Sequence, residues 1–559
     1  MREESIRSHN KDATMSTEKR LLIAIVISFL IIFLYQALFV KKEPQTTTPQ
    51  KTTTQTEPAL KKVQPEETFV QETEPQEKEE IRPVAGEREQ RVTVQTSLYT
   101  AEWSNRGAVL KKWTLTEYND DEGEQMELVS PLSTEINTYP FSLNTEDPDF
   151  NESINKALFK SSSTQIDLNN GESKELIFTY ADEQGNKVEK IFTFYGGTYE
   201  IDIRTNIWKN SQEIEPNIVW GPSFGELPVE SKQNRFGQQT GVAVYSGGKV
   251  NRHSEAKFDA EKNTYNFVQW AGYESQYFTA LFITSPQKAS AAFLKQDINE
   301  SASFFLVVNH VNKVYIGPKR YDILSEMEND AKKLIKFGLF GFISEILYKA
   351  IKIVHQAVPN WGFCIIILTF VIKILFFPLT FSSTKSMAKM QELQPKIKAL
   401  KSKYKKAKKD IDQRKKLNEE TMKLYKEHGV NPAGGCLPIL IQLPIFWGFF
   451  RLLIVAIEFR HSPFIFWIRD LSIKDPYYIT PILMGITQFI NQKMTPSAGD
   501  ATQKKMMLIM PVIMTIFFMN FQSGLVLYWL TNNILQIGQQ YITNRIMKKK
   551  ESHVKRRKK

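Results

Sequence analysis

Residues 21–40, LLIAIVISFLIIFLYQALFV, form an uncharged apolar run. At about 1.5 Å per residue, a helix of this length crosses the roughly 30 Å hydrocarbon layer of a bilayer. A signal-peptide core is usually shorter, about 7–15 residues, and no small-x-small cleavage pattern precedes Lys41. The run therefore predicts a retained membrane anchor after a short N-terminal segment, 1–20. A cleaved signal is the alternative.

Five further apolar windows follow in the second half of the sequence. The mean hydropathy of −0.33 and the charged fraction of 24% exclude a chain embedded in the membrane throughout. Apolar residues are instead concentrated in windows that could span a bilayer. These are 361–380, 437–457, 477–494, 506–521 and 525–546. With the anchor they predict an α-helical polytopic membrane protein of six spans.

A large all-β domain is predicted between the anchor and these windows. Residues 41–90 are rich in Thr, Gln, Glu, Pro and Lys, which predicts a flexible tether. Residues 91–328 contain short alternating segments, such as KVEKIFTFY, separated by turn sequences, which indicates a β-sandwich. The only two cysteines, Cys364 and Cys436, lie in apolar segments, so a packed core must hold this domain together. Residues 329–358 then alternate apolar and basic positions with a helical period, which predicts an amphipathic helix in the membrane interface.

The charges are unevenly distributed along the chain. Residues 41–330 carry a net charge of −15, and the rest of the chain carries +26. A Lys- and Arg-dense loop, 382–430, and a basic tail, 547–559, flank the apolar windows, and basic loops stay in the cytoplasm. With six spans, both termini and this loop are cytoplasmic, and the acidic β-domain lies outside. The loop reads as an antiparallel helical pair whose basic faces are either simply solvated or attract ribosomal RNA or anionic lipid.

One positive charge lies within the second span. Lys373 is about 12 Å from the inner end of that helix, one turn after Thr369. An intramembrane cation usually faces a hydrated or protein interior. The alternative is that the lysine extends to the cytoplasmic interface.

Polar stripes on other spans favour a hydrated groove around Lys373, although such stripes often make only interhelical hydrogen bonds. The third span contributes Gln442. The fourth contributes Gln488, and the sixth contributes Asn532, Asn533 and Gln536. The fifth span is rich in methionine, which adapts to varied apolar partners and indicates either a slide for substrate helices or lipid-facing filler.

Signals of enzymatic chemistry are weak. The sequence contains no P-loop, HExxH or GxSxG motif. Ser523 has no membrane histidine placed to activate it. A transporter or channel that uses Lys373 as a solute site is the main alternative, although the spans show no internal repeat. An envelope scaffold built on the β-domain is a third possibility.

Several motifs in order resemble the YidC/Oxa1/Alb3 family of membrane protein insertases, in its Gram-negative form. They include Asn360-Trp361-Gly362-Phe363, Phe376-Phe377-Pro378-Leu379-Thr380, Asn431-Pro432, Pro444-Ile445-Phe446, Asp475-Pro476-Tyr477-Tyr478 and Gly524-Leu525-Val526-Leu527-Tyr528-Trp529. The resemblance implies a five-helix insertase core, 359–546, with a hydrophilic groove that opens to the cytoplasm and to lipid. It also implies that the β-domain is a periplasmic supersandwich. The groove's positive residue is usually arginine in the family and is Lys373 here. The position often held by tyrosine is Trp529.

The residues and the resemblance together predict an inner-membrane insertase that needs no cofactor, metal or covalent step. The expected partners are nascent membrane proteins, membrane lipid, the Sec translocon, and ribosomes bound through the basic tail and loop; DNA is not expected. The expected groove residues are Lys373, Thr369, Gln442, Gln488, Asn532, Asn533, Gln536 and Trp529. The expected slide residues are Pro438, Leu443, Phe446, Met510, Met514 and Phe517.

Overall fold

The computed structural model describes residues 82–226, 240–298, 301–338, 340–404, 410–431, 437–495 and 501–557. The predicted N-terminal segment, the anchor, most of the tether and the last two residues of the basic tail lie outside this part of the chain.

The first half of the described chain consists mainly of strands. They are β1 (Arg91–Gln95), β2 (Tyr99–Ser104), β3 (Val109–Asn119), β4 (Gln125–Glu127), β5 (Ser142–Asn144), β6 (Lys160–Ser161), β7 (Gln165–Asp167), β8 (Ser173–Ala181), β9 (Lys187–Tyr195) and β10 (Glu200–Lys209). They continue as β11 (Gln212–Ile214), β12 (Asn217–Trp220), β13 (Gly241–Ser246), β14 (Lys249–Ser254), β15 (Lys262–Asn266), β16 (Val268–Glu274), β17 (Phe278–Thr284), β18 (Ser290–Ile298), β19 (Ser301–Asn309) and β20 (Val311–Pro318). Two short helices, α1 (Leu132–Glu135) and α2 (Pro148–Lys156), interrupt them.

These strands form three sheets. The largest has the order β14-β13-β16-β17-β20-β10-β9-β8-β6, with β11 paired to β10. Two five-stranded sheets have the orders β4-β3-β2-β1-β7 and β15-β18-β19-β12-β5. Strand β9 alternates buried and half-buried residues, whereas every residue of β17 is buried. A central strand that is buried on both faces is expected where sheets are stacked. The predicted all-β sandwich is confirmed.

Aromatic side chains fill the core of the β-domain. Trp103, Trp113, Trp220 and Trp270 are completely buried. The ring centroid of Trp103 lies 4.3 Å from that of Phe192. Large aromatic rings remove much apolar area from water and so contribute strongly to folding. The domain is therefore held by its core, without a disulfide among the described residues.

A buried lysine joins two turns of this domain. Lys190 lies on the inward face of β9, and its Nζ donates to the carbonyls of Gly107 at 2.8 Å, Ala108 at 3.1 Å and Phe141 at 2.7 Å. All three acceptor residues have positive φ. Burial lowers the pKa of Lys190 to about 7, although the three carbonyls are oriented to accept from the charged form.

Helices dominate the second half of the described chain. They are α3 (Tyr321–Glu326), α4 (Gly341–Ala357), α5 (Trp361–Glu392), α6 (Gln394–Lys403), α7 (Ile411–Glu427), α8 (Leu437–Val455), α9 (Ile479–Met494), α10 (Ala501–Phe518) and α11 (Ser523–Arg557). Short 3-10 turns occur at Glu255–Lys257, Ala331–Leu334 and Ile457–Phe459.

Two helices differ from the sequence expectation. The amphipathic segment 329–358 is not one helix, because Gly338 has φ +79° and separates a 3-10 turn from α4. Helix α5 extends twelve residues beyond its apolar window and ends just before the turn that carries Pro395. The window predicts how much of the helix is apolar, whereas α5 itself continues through polar residues and ends at Glu392, just before the helix whose first turn carries Pro395.

Helix α5 is the one described helix that is long and apolar enough to cross a membrane. Shorter apolar stretches occur at Leu440–Val455 and Leu508–Phe518. Asn360 caps the start of α5, and its side chain accepts from the Phe363 amide at 3.1 Å. The count of six spans stays a prediction.

The loop between α8 and α9 contacts the β-domain through Arg460. The Arg460 side chain is largely buried, and its Nη2 lies 3.4 Å from the carboxylate of Asp121. Its Nη1 lies 3.8 Å from the carboxylate of Glu226. Nearby, Gln276 of the β-domain donates to the carbonyl of Ile454 at the end of α8. The β-domain is thereby fixed to one end of the helical region.

Candidate functional site

A cavity of about 390 Å³ lies among α5, α8, α9 and α11. On α5 its lining extends from Thr369 to Met387, a distance of roughly 27 Å along the helix. On α11 it extends from Tyr528 to Gln540. The cavity therefore runs toward the ends of these helices that adjoin α6 and the basic tail, away from the β-domain.

The structure brings all eight predicted groove residues to the wall of this cavity. They are Lys373, Thr369, Gln442, Gln488, Asn532, Asn533, Gln536 and Trp529. The prediction rested on helical spacing, which places residues three and four positions apart on one face. Packing of α11 against both α5 and α9 joins these faces.

The Lys373 ammonium lies inside this cavity and has a neutral partner. Its Nζ donates to Oε1 of Gln536 at 2.7 Å. Within the part of the chain that the structure describes, no carboxylate lies within ion-pair distance of Lys373. The half-buried side chain points into the cavity wall rather than along the helix toward its end. Lysine has three donors, so two remain for another acceptor.

Several polar atoms around the cavity are buried without a hydrogen-bond partner in the protein. These are Oε1 of Gln488, Oδ1 of Asn491 and Nε1 of Trp529. A buried polar atom without a partner costs about 1–3 kcal/mol. In contrast, the Thr369 hydroxyl donates to the Ile365 carbonyl of its own helix at 2.6 Å. The amides and the indole, more than the hydroxyl, are thus available to a ligand.

The Trp529 ring belongs partly to the apolar wall. Its centroid lies 5.0 Å from that of Phe446 on α8 and 5.2 Å from that of Phe518 on α10. Phe446 and Phe518 are 6.4 Å apart. These rings pack the apolar side of the cavity wall against the buried end of α10.

The predicted slide residues are distributed over this apolar surface. Leu443 and Phe446 line the cavity on α8. On α10, Met510 and Phe517 are exposed, and Met514 is half-buried against the core. The side chain of Pro438 lies outside the described residues.

The loop between α8 and α9 covers the other end of the helices, a role that the sequence analysis did not predict. The amides of Ser523 and Gly524, at the start of α11, donate to the carbonyls of Ile473 and Leu471. Asn360, at the start of α5, donates to the Phe464 carbonyl at 3.1 Å. The loop therefore holds together the ends of α5 and α11 that face the β-domain.

Asp475 organises this loop. Its carboxylate accepts from the Trp467 indole at 3.1 Å, the Tyr477 amide at 2.9 Å, and both the amide and the hydroxyl of Thr480 at 2.8 and 2.7 Å. Burial alone would raise the pKa of Asp475, but these hydrogen bonds, led by those from Thr480, hold it below its usual value. The Asp-Pro-Tyr-Tyr motif was a sequence signal for this position, but not for its partners.

Residues considered for enzymatic chemistry have structural contacts. The Ser523 hydroxyl donates to the Ile473 carbonyl at 2.8 Å. Among the residues that the structure describes, no group of three His, Cys, Asp or Glu side chains could hold a metal ion.

Two family models match the chain and together cover most of its described part. The model described as "60Kd inner membrane protein" matches residues 353–551, and "YidC periplasmic domain" matches residues 91–350. Their boundary falls within α4, the helix that connects the β-domain to the helical region.

Similar proteins carry one name. "Membrane protein insertase YidC" of Syntrophus aciditrophicus (strain SB) is 38% identical, with 94% of this chain and 99% of the relative covered. The protein of the same name from Geobacter sulfurreducens is 35% identical, with coverage of 94% and 98%. A crystal structure of an active YidC insertase with its first transmembrane domain resolved is 18% identical, with a TM-score of 0.36 and coverage of 93% and 99%. The chain belongs to the YidC family of membrane protein insertases.

Proposed function

We propose that this protein inserts nascent membrane proteins into the inner membrane, and that the cavity around Lys373 receives their polar segments. The observation that carries the proposal is an ammonium group within an apolar helical region, with a neutral amide as its partner. A charge at such depth is costly and is usually functional. Here the surrounding amides supply part of the hydration that water supplies elsewhere.

The proposed step begins in the cytoplasm, where a short polar or acidic tail enters the cavity. Lys373 and the amides replace part of the hydration of the tail, which lowers the barrier to its crossing. Two features support this direction. The cavity runs toward the basic end of the helices, and the loop organised by Asp475 covers the end that faces the β-domain.

The apolar helix of the substrate would meanwhile move along α8 and α10 into lipid. Phe446 and Trp529 pack together at the cavity wall, and Met510 and Phe517 expose apolar area on α10. Burial of the substrate helix in lipid, together with the membrane potential acting on the tail, would drive the step without nucleotide or covalent chemistry.

We also propose contacts with ribosomes and with the Sec translocon. The support for the ribosome is a dense set of exposed lysines on α6, including Lys396, Lys398 and Lys401. Such a surface attracts polyanions and would lose affinity as salt rises. Cooperation with the translocon follows from the family resemblance.

The test uses the full-length protein in proteoliposomes with a small two-span substrate that has an acidic tail. We expect Lys373→Ala to slow insertion at least about tenfold, or about 1.4 kcal/mol in the barrier. Lys373→Arg should retain most activity, since the charge remains.

Lys493→Ala is the matched control. This lysine lies on α9, is exposed and does not line the cavity, with its Nζ 4.6 Å from the Phe489 ring centroid. It should leave insertion unchanged. Equal insertion by Lys373→Ala and the unaltered protein would reject the role of the charge.

A further inference from the structure

The Lys373 ammonium is held from across the cavity rather than from its own helix. Gln536 lies on α11, and its Oε1 accepts the hydrogen bond at 2.7 Å. A free lysine side chain has about 2 kcal/mol of rotamer entropy and can extend toward an interface. The contact with Gln536 opposes both tendencies and keeps Nζ between the two helices.

The chemical type of this partner matters. A glutamine amide oxygen is an acceptor without formal charge, so it orients the ammonium and leaves the positive charge uncompensated. A carboxylate at the same place would form an ion pair, and in a medium of low dielectric constant that pair would cancel most of the field at the cavity. Gln536 thus orients the Lys373 ammonium without neutralising its positive charge.

The neighbours of Gln536 are also neutral. Asn532 and Asn533, one turn earlier on α11, line the same cavity, and the Asn533 amide donates to the Met484 carbonyl at 3.2 Å. Asn533 therefore ties α11 to α9, while Gln536 ties it to α5. The ammonium keeps two donors for an incoming group.

We propose that Gln536 is the positioning residue for Lys373, and that its neutrality makes the cavity favour tails with acidic groups. This inference rests on the proposed function of the cavity. Three properties follow. An acidic residue at 536 should weaken the preference for acidic tails, an apolar residue should leave the charge unanchored, and exchange of the two side chains should preserve the arrangement.

The experiment measures insertion by the full-length protein in proteoliposomes, with substrates that differ only in tail charge: acidic, neutral or basic. We expect Gln536→Glu to lower insertion of the acidic-tail substrate at least fivefold and to leave the basic-tail substrate unchanged or improved. Gln536→Leu should lower the acidic-tail substrate by a smaller factor. A merely structural role would lower all three substrates equally.

The exchange variant Lys373→Gln with Gln536→Lys provides rescue. It keeps an ammonium and an amide facing each other, and we expect acidic-tail insertion within about threefold of the unaltered protein, well above Lys373→Gln alone. Gln391→Glu is the matched control, because it makes the same amide-to-acid change at an exposed position of α5 that does not line the cavity. It should not alter tail preference.

The outcomes separate the two proposals. If Lys373→Ala inserts acidic tails normally, the proposed role of the charge fails. If Lys373→Ala is impaired but Gln536→Glu affects every tail alike, or the exchange variant is no better than Lys373→Gln, only the positioning role of Gln536 is overturned.

Discussion

The β-domain and the helical region place polar and apolar side chains in opposite ways. In the β-domain the large aromatic residues are inside, and the buried Lys190 ammonium has three carbonyl partners. In the helical region, Leu375 is 71% exposed and Ile516 is 62% exposed. Polar side chains such as Gln540 and Thr543 are instead almost completely buried there.

This difference is expected if water surrounds the β-domain and lipid surrounds the helical region. Water favours an apolar interior with every buried polar group satisfied. Lipid accepts apolar side chains outside, so polar side chains collect within the bundle. Around the cavity, Oε1 of Gln488 is one of the buried polar atoms without a partner in the protein.

One acidic substitution on the outer surface of each region tests whether the two surfaces face different solvents. We expect Leu375→Asp on α5 to cost about 3 kcal/mol in membrane insertion of this segment, since an aspartate would face lipid. The measurement is the apparent insertion free energy of the α5 segment in a glycosylation reporter.

Phe267→Asp is the matched change on the β-domain, because Phe267 is 68% exposed. It should shift the free energy of unfolding by no more than about 0.5 kcal/mol. Its φ of +54° is also tolerated better by aspartate than by phenylalanine. Similar costs at both positions would contradict the assignment of different solvents.

The buried lysine of the β-domain offers a second test. We expect Lys190→Met to lower the free energy of unfolding by about 2 kcal/mol, because three carbonyls lose their donor. Denaturant unfolding of the full chain in detergent, followed by tryptophan fluorescence, measures it. Lys187→Met on the same strand is the control and should stay within about 0.5 kcal/mol.

This lysine also predicts a pH dependence. Its folded pKa of about 7 lies below the ordinary 10.5, so between these values the unfolded state binds more protons. The free energy of unfolding should therefore rise with pH across that window, and Lys190→Met should remove the rise. A flat profile in the unaltered protein would mean that the carbonyls keep the lysine charged.

A smaller effect is expected where the loop covers the helix ends. Asp475→Asn should cost about 1.5 kcal/mol, because both carboxylate oxygens accept hydrogen bonds and an amide offers only one acceptor. Since the folded pKa is lowered, the contribution of Asp475 is present above its ordinary pKa and is lost as pH falls. Thermal unfolding across acidic pH measures this loss.

Asp410→Asn is the control for this change. Asp410 caps α7 through one oxygen, Oδ1, and asparagine caps helices equally well. Its unfolding midpoint should not move. A shift as large as that of Asp475→Asn would indicate a general charge effect instead of a specific hydrogen-bond network.

The sequence could predict the cavity wall because helical spacing fixes which residues share a face. Asn532, Gln536 and Gln540 follow one face of α11, and all three line the cavity. That they bind a substrate stays a prediction. The partner of Lys373 was not predictable, because the hydrogen bond joins residues 163 positions apart and depends on how α5 packs on α11.

Other structural features could be predicted from the sequence only in part. Lys190 occupies an inward position in the alternating pattern of β9, so its burial was detectable, but its three acceptors come from distant turns. Hydropathy predicted the apolar window of α5 but not the full length of the helix, because hydropathy does not record where a helix stops. The contact of Arg460 with Asp121 joins distant segments with no shared motif.

The Arg460 contact has a mechanical consequence. The segment that Arg460 fastens to the β-domain also carries Ile473, which accepts from the first residue of α11. The loop that contacts the β-domain thus also fixes the start of the helix whose later turns line the cavity.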